Sequence, residues 1–223
     1  MQRLVAHYYA VKIKLRETLN PYFAPIRRKR LGDNSYPFTI ISNNCWGGHV
    51  YRYFGLPYDS PTVGLYMFSD EYIKFIKNLK HYIDEPLSFI SVDESRYREE
   101  LLRRGGKNST CPIGVIDDIE IVFLHYKTRE EALEKWTRRK DRIHWNNLYV
   151  KMSEQNLCVE EHIKAFDTLQ YPHKFVFVHR DYGIGSQIIF RDFMKEKEVI
   201  NDTNNFRKYI NLCKWIKGGK ITR

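Results

Sequence analysis

The sequence lacks long apolar segments and local cysteine pairs. No apolar run approaches the roughly 18 residues that span a bilayer, and the N-terminus has no unbroken apolar segment typical of a cleaved signal peptide. Its four cysteines, Cys45, Cys111, Cys158 and Cys213, are widely separated and form no C-x-x-C pair. This spacing favours free thiols in a reducing cytoplasm over a disulfide framework or a structural zinc site. We therefore expect a cytoplasmic location.

Several sequence signatures of enzyme classes are missing as well. The chain contains no G-x-G-x-x-G, no Walker loop, no G-x-S-x-G elbow and no H-E-x-x-H. It also lacks the Asp-x-Asp that supplies metal ligands in many nucleotide-sugar transferases, for which Asp117-Asp118 followed by Glu120 is a poor substitute. The residues predict no metal site and indicate no particular cofactor.

Glycine and proline are scarce, with 12 and 8 residues in a chain of 223. Together with a hydrophobic content of 43%, this composition predicts one large globular domain and argues against disorder. Aromatic residues are abundant at 15%. Tyrosine often lines sites that bind sugars or bases, although filling an α/β core is its more usual role.

Positive charge is concentrated at the N-terminus. Of the net charge of +10, residues 1–30 carry +7, which leaves +3 for the other 193 residues. The contributing residues are the cations Arg3, Lys12, Lys14, Arg16, Arg27, Arg28, Lys29 and Arg30 and the acid Glu17. Such a segment suits an anionic membrane surface or nucleic acid, or it is simply solvated. No recognition motif supports nucleic acid.

The apolar periodicity predicts where the helices and strands lie. Residues 3–19 have the pattern of an amphipathic helix, which Asn20-Pro21 should end, so residues 1–36 are expected to form this helix and a connector. The remaining residues, 37–223, are expected to form one domain. Strands are predicted at 38–42, 63–68, 87–91, 145–150, 174–179 and 187–191, with a hairpin over 111–126 and helices at 49–54, 69–79, 94–104, 128–142, 159–169 and 203–216. This alternation predicts a three-layer α/β fold with a mainly parallel, mixed sheet.

The loop from Ser42 to His49, SNNCWGGH, follows a predicted buried strand and precedes a helix. In open α/β sheets, ligands bind at such carboxyl ends of strands. Asn43 and Asn44 can donate to and accept from sugar hydroxyls. Gly47 and Gly48 let the backbone approach a ligand, and the following helix N-terminus attracts anions. We therefore predict a ligand site here that includes His49.

Cys45 lies in the same loop, near the expected helix N-terminus, where a lowered thiol pKa would make it a candidate nucleophile. A buried structural cysteine is the alternative. Cys45 and His49 form a weak metal pair, because no second pair accompanies them. In the next turn, Tyr58, Asp59 and Ser60 are candidates for one wall of a pocket, unless the prolines around them only shape a connection.

The predicted helix 128–142 carries a basic stripe. Glu131–Lys135 and Glu134–Arg138 have favourable i,i+4 spacing and are expected to form surface ion pairs. Arg139 and Arg142 have no such partner on the helix. An arginine in this position suits bidentate contact with a phosphate or a carboxylate. An ion pair with an internal acid is the alternative role for Arg139.

His179 and Asp181 follow the predicted strand 174–179 in the same way as the Cys45 loop follows the first strand. Both are candidates for an acid or base that reaches the same crevice. A structural role at the strand end is the alternative for this histidine.

Four segments resemble a bacterial family associated with exopolysaccharide biosynthesis. They are SNNCWGG at 42–48, YRYFGLPYDSPTVGLYMFSDEYIKF at 51–75, EALEKWTRRKDRIHWNNLYV at 131–150 and KFVFVH at 174–179. The similarity extends from about residue 37 to the C-terminal helix. It implies a role in making capsule or another surface polysaccharide, and it supplies no catalytic residues.

These observations lead to two hypotheses. The first is a glycosyltransferase-like transferase in exopolysaccharide or capsule biosynthesis, acting on a sugar nucleotide or a lipid-linked sugar. In it, Asn43, Asn44, Gly47 and Gly48 hold the donor, Arg139 neutralises its charge, and His179 is the base. The second is a non-catalytic binding or regulatory subunit on the inner face of the membrane, attached through residues 1–30.

Overall fold

The computed structural model describes residues 2–32 and 37–219. The chain begins with a long helix, α1 (Gln2–Lys29). Strands and shorter helices alternate after it. In chain order they are β1 (Thr39–Ser42), α2 (Trp46–Phe54), α3 (Ser69–Lys77), α4 (Leu79–Asp84), β2 (Ser88–Ile90), α5 (Arg98–Arg104), β3 (Ile113–Ile116), β4 (Ile119–Val122), α6 (Arg129–Lys140), β5 (Leu148–Ser153), α7 (Glu160–Thr168), β6 (Lys174–Val178), β7 (Gln187–Ile189) and α8 (Leu212–Ile216). None of these helices is long and apolar enough to cross a membrane.

Four strands form a parallel sheet in the order β1-β5-β6-β7. In its register, Ile41 pairs with Val150, and Met152 pairs with Val176. Most positions of β1, β5 and β6 are buried, as expected for strands covered on both faces. The α/β fold class predicted from the alternation of elements is therefore confirmed.

The antiparallel strands form a separate sheet in the order β2-β3-β4. The predicted hairpin is confirmed: Ile116 pairs with Ile119, and Asp117 adopts φ 51° in the turn, which aspartate tolerates better than most residues. The sequence had suggested one mixed sheet, but the chain keeps its parallel and antiparallel strands in two sheets.

Two apolar cores cover the two faces of the parallel sheet. Alternate residues of its strands point to opposite sides, so that Ile41 and Val150 lie in one core, while Ile40 and Tyr149 lie in the other. The first core is shared with α3, α4, α6, α7 and the antiparallel sheet. The second core is shared with α2 and the C-terminal segment. This layering matches the three-layer arrangement expected from the sequence.

Helix α1 continues through two prolines, so the predicted end at Asn20-Pro21 is wrong. Pro21 and Pro25 both lie inside the helix, although an internal proline removes a hydrogen bond and costs about 3 kcal/mol. Contacts with α2 offset this cost. Asn20 Nδ2 donates to Arg52 O at 2.7 Å, Arg27 donates to Tyr53 O at 3.2 Å, and Ala24 is buried beneath Gly55.

Two further predicted elements differ from the structure. Residues 63–68 form no strand. Only Tyr66 pairs with Val122, because the neighbouring backbone groups of the segment bond to loops such as Asn43 and His125. The predicted helix 203–216 is divided into a short 3-10 helix, Phe206–Lys208, and α8, with Asn211 capping α8 through its side chain.

Candidate functional site

A cavity lies beside the turn between β1 and α2, near the carboxyl end of β1. Helix α2 begins at Trp46 and ends at a left-handed Gly55. Its first turn and the segment 63–64 form one side of a cavity of about 400 Å³, to which α6 contributes from the other side. The lining residues are Cys45, Gly48, His49, Arg52, Tyr58, Val63, Gly64, His125, Tyr126, Lys135 and Arg139. We call this the cationic cavity.

The charged residues that line the cationic cavity are all basic. Arg52, Lys135 and Arg139 contribute to it, and none of the described lining residues is Asp or Glu. Arg52 and Lys135 are each neutralised by an acid outside the cavity, Glu17 at 2.8 Å and Glu131 at 2.7 Å. The surplus charge therefore comes from Arg139.

Arg139 is held by two neutral oxygen atoms and by the aromatic ring of Tyr58. Its Nη1 donates to Val63 O at 3.0 Å and to the Tyr126 hydroxyl at 2.5 Å. The guanidinium carbon lies 5.1 Å from the centre of the Tyr58 ring. The side chain is 7% exposed, yet no carboxylate of the described residues lies within ion-pair distance of it. The expected alternative, an ion pair with an internal acid, is therefore not what holds it.

The described contacts leave Nε and Nη2 of Arg139 without a hydrogen bond to residues 2–32 or 37–219. A buried guanidinium with open donors and no counter-charge favours an anion as its partner. Planar donor pairs suit the oxygens of phosphate or carboxylate. The cavity therefore has the chemistry of an anion site.

Gly64 and Tyr126 fix the position of that arginine. Gly64 has a φ of 85°, and a Cβ on it would lie 3.0 Å from Cε2 of Tyr126. Only glycine combines this backbone conformation with the close ring. The Tyr126 hydroxyl donates to Val63 O and accepts from Arg139, so one tyrosine links the loop to α6.

His125 lies beside these cations. Burial lowers the pKa of its imidazole, and the charges of Lys107 and Arg52 lower it further. The imidazole is therefore neutral at pH 7 and can accept a proton. His49 also lines the cavity, so that two imidazoles face the space in which an anion would bind.

The environment of Cys45 argues against its predicted role as a nucleophile. Burial raises the pKa of its thiol to about 12, with a further contribution from the carboxylate of Asp202. The thiol donates to Leu65 O at 3.6 Å. At neutral pH almost none of it is the reactive thiolate. The N-terminus of α2, which was expected to lower the thiol pKa, does not offset the effect of burial on it.

Asn43 and Asn44 do not line the cationic cavity; they join strands. The amide of Asn43 donates to Ser153 O at 2.9 Å and accepts from Ser153 N at 3.0 Å. Asn44 donates to Gln155 and to the Asp202 carboxylate, and it accepts from Lys151 at 3.2 Å. These amide groups are already used by the protein, so they are not open to sugar hydroxyls.

Four other predicted ligand residues also lie elsewhere. Gly47 is buried, and a Cβ there would approach the side chains of β1 at 3.3 Å. Ser60 bonds to Thr62, and Asp59 lies 3.4 Å from His144 Nε2. Arg142 is exposed beyond the end of α6. The sequence pattern placed them near the site, but none of the four lines the cationic cavity.

His179 and Asp181 are not brought into the cationic cavity. His179 Nδ1 and its backbone N–H both contact Glu154 Oε2, at 2.7 Å and 2.8 Å. Tyr182 donates to the other oxygen of the same carboxylate. Asp181 bonds to Gly183 N and to the side chain of Gln187. Both residues follow β6, whereas the cavity lies beside β1, which is separated from β6 by β5 in the sheet.

The sequence reasoning missed several residues of the cavity. Arg52, Tyr126 and Gly64 were not proposed for a site. Lys135 was assigned to a surface pair with Glu131, which the structure confirms, but it also faces the cavity. His125 was not proposed for a site either. Within residues 2–32 and 37–219, no cluster of three His, Cys, Asp or Glu is placed to hold a metal ion.

Comparison with other proteins identifies the family. Residues 15–217 match the family described as Domain of unknown function (DUF1919), and the chain belongs to it. An uncharacterized protein of Haemophilus influenzae is 30% identical to it over 162 residues, which is 72% of this chain and 71% of that protein.

Proposed function

We propose that this member of the DUF1919 family is a glycosyltransferase-like transferase of exopolysaccharide or capsule biosynthesis. Its donor is an anionic sugar, either a sugar nucleotide or a lipid-linked intermediate, whose phosphate binds in the cationic cavity. Arg139 carries the proposal, because it is buried without a carboxylate partner among the described residues. The resemblance of the four sequence segments supports the role in polysaccharide synthesis, and the basic lining of the cavity supports an anionic donor.

The transfer itself follows from the groups in the cavity. An acceptor hydroxyl attacks the anomeric carbon of the donor, and the bond from that carbon to the phosphate oxygen breaks. Arg139 stabilises the negative charge that develops on the leaving phosphate. His125, neutral because of its lowered pKa, accepts the proton of the acceptor hydroxyl. In this proposal His125 replaces His179 as the base.

Binding of nucleotide sugars to matched variants tests this proposal. Isothermal titration with a panel of uridine, guanosine and thymidine diphosphate sugars is expected to find at least one that binds. Arg139→Gln should weaken that binding about tenfold or more, because a charged hydrogen bond contributes roughly 1.5–3 kcal/mol. Arg138→Gln removes the same charge from the exposed face of α6 and should change the affinity little.

The proposal fails if no member of the panel binds. It also fails if the two variants weaken binding equally, since a general attraction of anions to α6 would then explain the result. Circular dichroism of each variant checks that the fold is retained.

A second feature supports association with a membrane surface. Helix α1 packs on α2 through Asn20, Ala24 and Arg27. Its opposite face carries apolar side chains that are 40% to 75% exposed. They are Leu15, Leu19, Tyr22, Phe23 and Ile26, which share one side of a helix with 3.6 residues per turn.

We propose that this apolar stripe docks on an anionic bilayer. Exposed Lys29 and Arg30 stand at its C-terminal end, and residues 1–30 carry +7. Aromatic and aliphatic side chains flanked by cations are typical of helices that lie in the membrane interface. A second copy of the chain is a poorer partner, because the two basic helices would repel each other.

Sedimentation with vesicles tests the docking. Vesicles of phosphatidylglycerol mixed with phosphatidylcholine should carry the protein down, whereas pure phosphatidylcholine should not. Tyr22→Glu with Ile26→Glu should abolish sedimentation. Leu102→Glu with Leu133→Glu adds the same charge at two exposed leucines of α5 and α6 and should have no effect. If the α1 variant still sediments, or if it instead abolishes a dimer seen in solution, the membrane is not the partner of the stripe.

A further inference from the structure

A second basic site lies next to the cationic cavity. It is a cavity of about 260 Å³ lined by Arg30, Tyr53, Arg207 and the start of α8, where Ile210, Asn211, Leu212 and Cys213 contribute. We call it the outer basin. Its cations come from two segments far apart in the chain, the end of α1 and the 3-10 helix Phe206–Lys208.

A narrow depression of about 40 Å³ connects the two sites. It shares His49 and Arg52 with the cationic cavity, and it shares Tyr53 and Arg207 with the outer basin. The three spaces therefore follow one another along the same surface of α2. A ligand in the outer basin would lie beside a ligand in the cationic cavity.

The outer basin and the depression carry an excess of positive charge. Arg27 lines the depression with Arg52 and Arg207, and Glu17 is the one acid among its described lining residues. That acid is paired with Arg52. Neither Arg207 nor Arg30 makes an ion pair with the described residues. Burial lowers the pKa of Arg27, and the charges of Arg207 and Arg30 contribute to the same shift.

We infer that the outer basin binds the acceptor of the transfer, and that this acceptor is an acidic saccharide whose carboxylate or phosphate groups contact Arg207 and Arg30. The inference rests on the proposed function, because an acceptor site has meaning only beside a donor site. Guanidinium groups suit such anions, since they form paired hydrogen bonds with both oxygens. Asn211 also lines the basin; its side-chain oxygen caps α8, which leaves its side-chain NH2 group to donate to a hydroxyl group.

The aromatic rings favour a saccharide over a nucleic acid. Proteins that bind single strands stack bases on open aromatic faces. Here Arg27 lies 4.3 Å and Arg207 lies 5.0 Å from the centre of the Tyr53 ring, and Arg139 lies 5.1 Å from that of Tyr58. Arginine side chains already lie over these rings, so the faces they cover are not open for the stacking of successive bases.

Titration with trigalacturonate, an acidic trisaccharide, tests the inference. The wild-type protein should bind it, and should bind the neutral maltotriose at least tenfold more weakly. Arg207→Gln should weaken trigalacturonate binding about tenfold, as expected for one charged hydrogen-bonding partner. Lys208→Gln removes a neighbouring charge that is paired with Asp192 at 3.5 Å, and it should leave the affinity within about twofold. Arg30→Gln, at an exposed position, serves as a second variant if Arg207→Gln does not fold.

The outcomes separate this inference from the proposed function. Arg139→Gln should lose nucleotide-sugar binding and retain most trigalacturonate binding, and Arg207→Gln should show the reverse. Trigalacturonate binding without any nucleotide-sugar binding would overturn the donor site and leave an acidic-saccharide site. Three results would each overturn the saccharide site. The first is an equal effect of Arg207→Gln and Lys208→Gln, and the second is equal binding of maltotriose and trigalacturonate. The third is tighter binding of oligothymidylate that depends on Arg207.

Discussion

Lys151 and Asp202 form a buried ion pair at the carboxyl edge of the parallel sheet, with 0% and 2% of their side chains exposed. Ser153 Oγ donates to the same carboxylate oxygen at 2.5 Å, and Asn44 Nδ2 donates to it at 2.9 Å. Burial alone would raise the pKa of Asp202, but these partners outweigh it and hold the pKa below its usual value. The network ties β1 and β5 to the C-terminal segment.

Removing the carboxylate should therefore destabilise the protein strongly. Asp202→Ala leaves the ammonium group of Lys151 buried and unpaired, which costs about 3–5 kcal/mol. Urea unfolding followed by tryptophan fluorescence measures this loss. Asp84→Ala breaks an exposed pair with Lys80 and should cost less than about 1 kcal/mol. Similar losses for the two variants would show that the buried pair contributes no more than a surface one.

The contact between α1 and α2 should be sensitive to one methyl group. Gly55 has a φ of 63°, and a Cβ on it would lie 2.8 Å from the Cβ of Ala24. Gly55→Ala should cost about 1–2 kcal/mol for the backbone and more for the clash. Gly106→Ala, with φ 55° and nothing within 4 Å, isolates the backbone cost in the same urea experiment. Ala24→Gly alone should cost about 1 kcal/mol as a glycine inside a helix, and adding Gly55→Ala to it should cost only the backbone amount. A larger added cost would mean that the methyl group of Ala24 is not what Gly55→Ala meets.

The thiol of Cys45 should react slowly in the folded protein. Its pKa of about 12 leaves little thiolate at pH 8, where an ordinary cysteine is partly ionised. Iodoacetamide labelling read by peptide mass spectrometry should modify Cys45 much faster in urea than in buffer. Rapid labelling under native conditions would reinstate the cysteine as a candidate nucleophile.

The protonation of His125 should be linked to stability and to anion binding. Its pKa lies below the ordinary value of 6.5, so the unfolded chain takes up a proton before the folded protein does. This histidine therefore costs no stability above pH 6.5 and destabilises the fold progressively as the pH falls below it. NMR titration of the imidazole measures the shift directly, and His125→Gln should flatten the pH dependence of unfolding between pH 5 and 7. Inorganic phosphate should raise the pKa of His125 if it enters the cavity; an unchanged titration would place the anion elsewhere.

The parts of the fold that depend on local pattern were predictable. Alternating apolar strands and helices indicated the α/β class, and Asp117-Asp118 between two apolar runs indicated the β3–β4 hairpin. The predicted helix 128–142 began at Thr128, and the side chain of this residue caps α6 by accepting from Glu131 N. Each of these features depends on residues close together in the chain, so their cause lies within one segment.

Helix α1 shows where local reasoning fails. Pro21 should have ended it, but Asn20, Ala24 and Arg27 contact α2 some thirty residues later in the chain. Those contacts offset the cost of the proline. Nothing near Pro21 in the sequence reveals the partner.

The candidate site was likewise predictable from local sequence only in part. From the residues alone, a loop with Cys45, Gly48 and His49 is expected after a buried strand, and Arg139 has no partner on its own helix. The packed structure is needed to show that Arg139, His125 and the loop line one cavity, while Asn43, Asn44 and His179 bond to other residues. Periodicity and capping are short-range properties that a segment carries alone. The cavity, in contrast, depends on how the layers pack, because its side chains come from the β1–α2 turn, α2, α6 and the segment 63–64. That packing is a property of the whole chain.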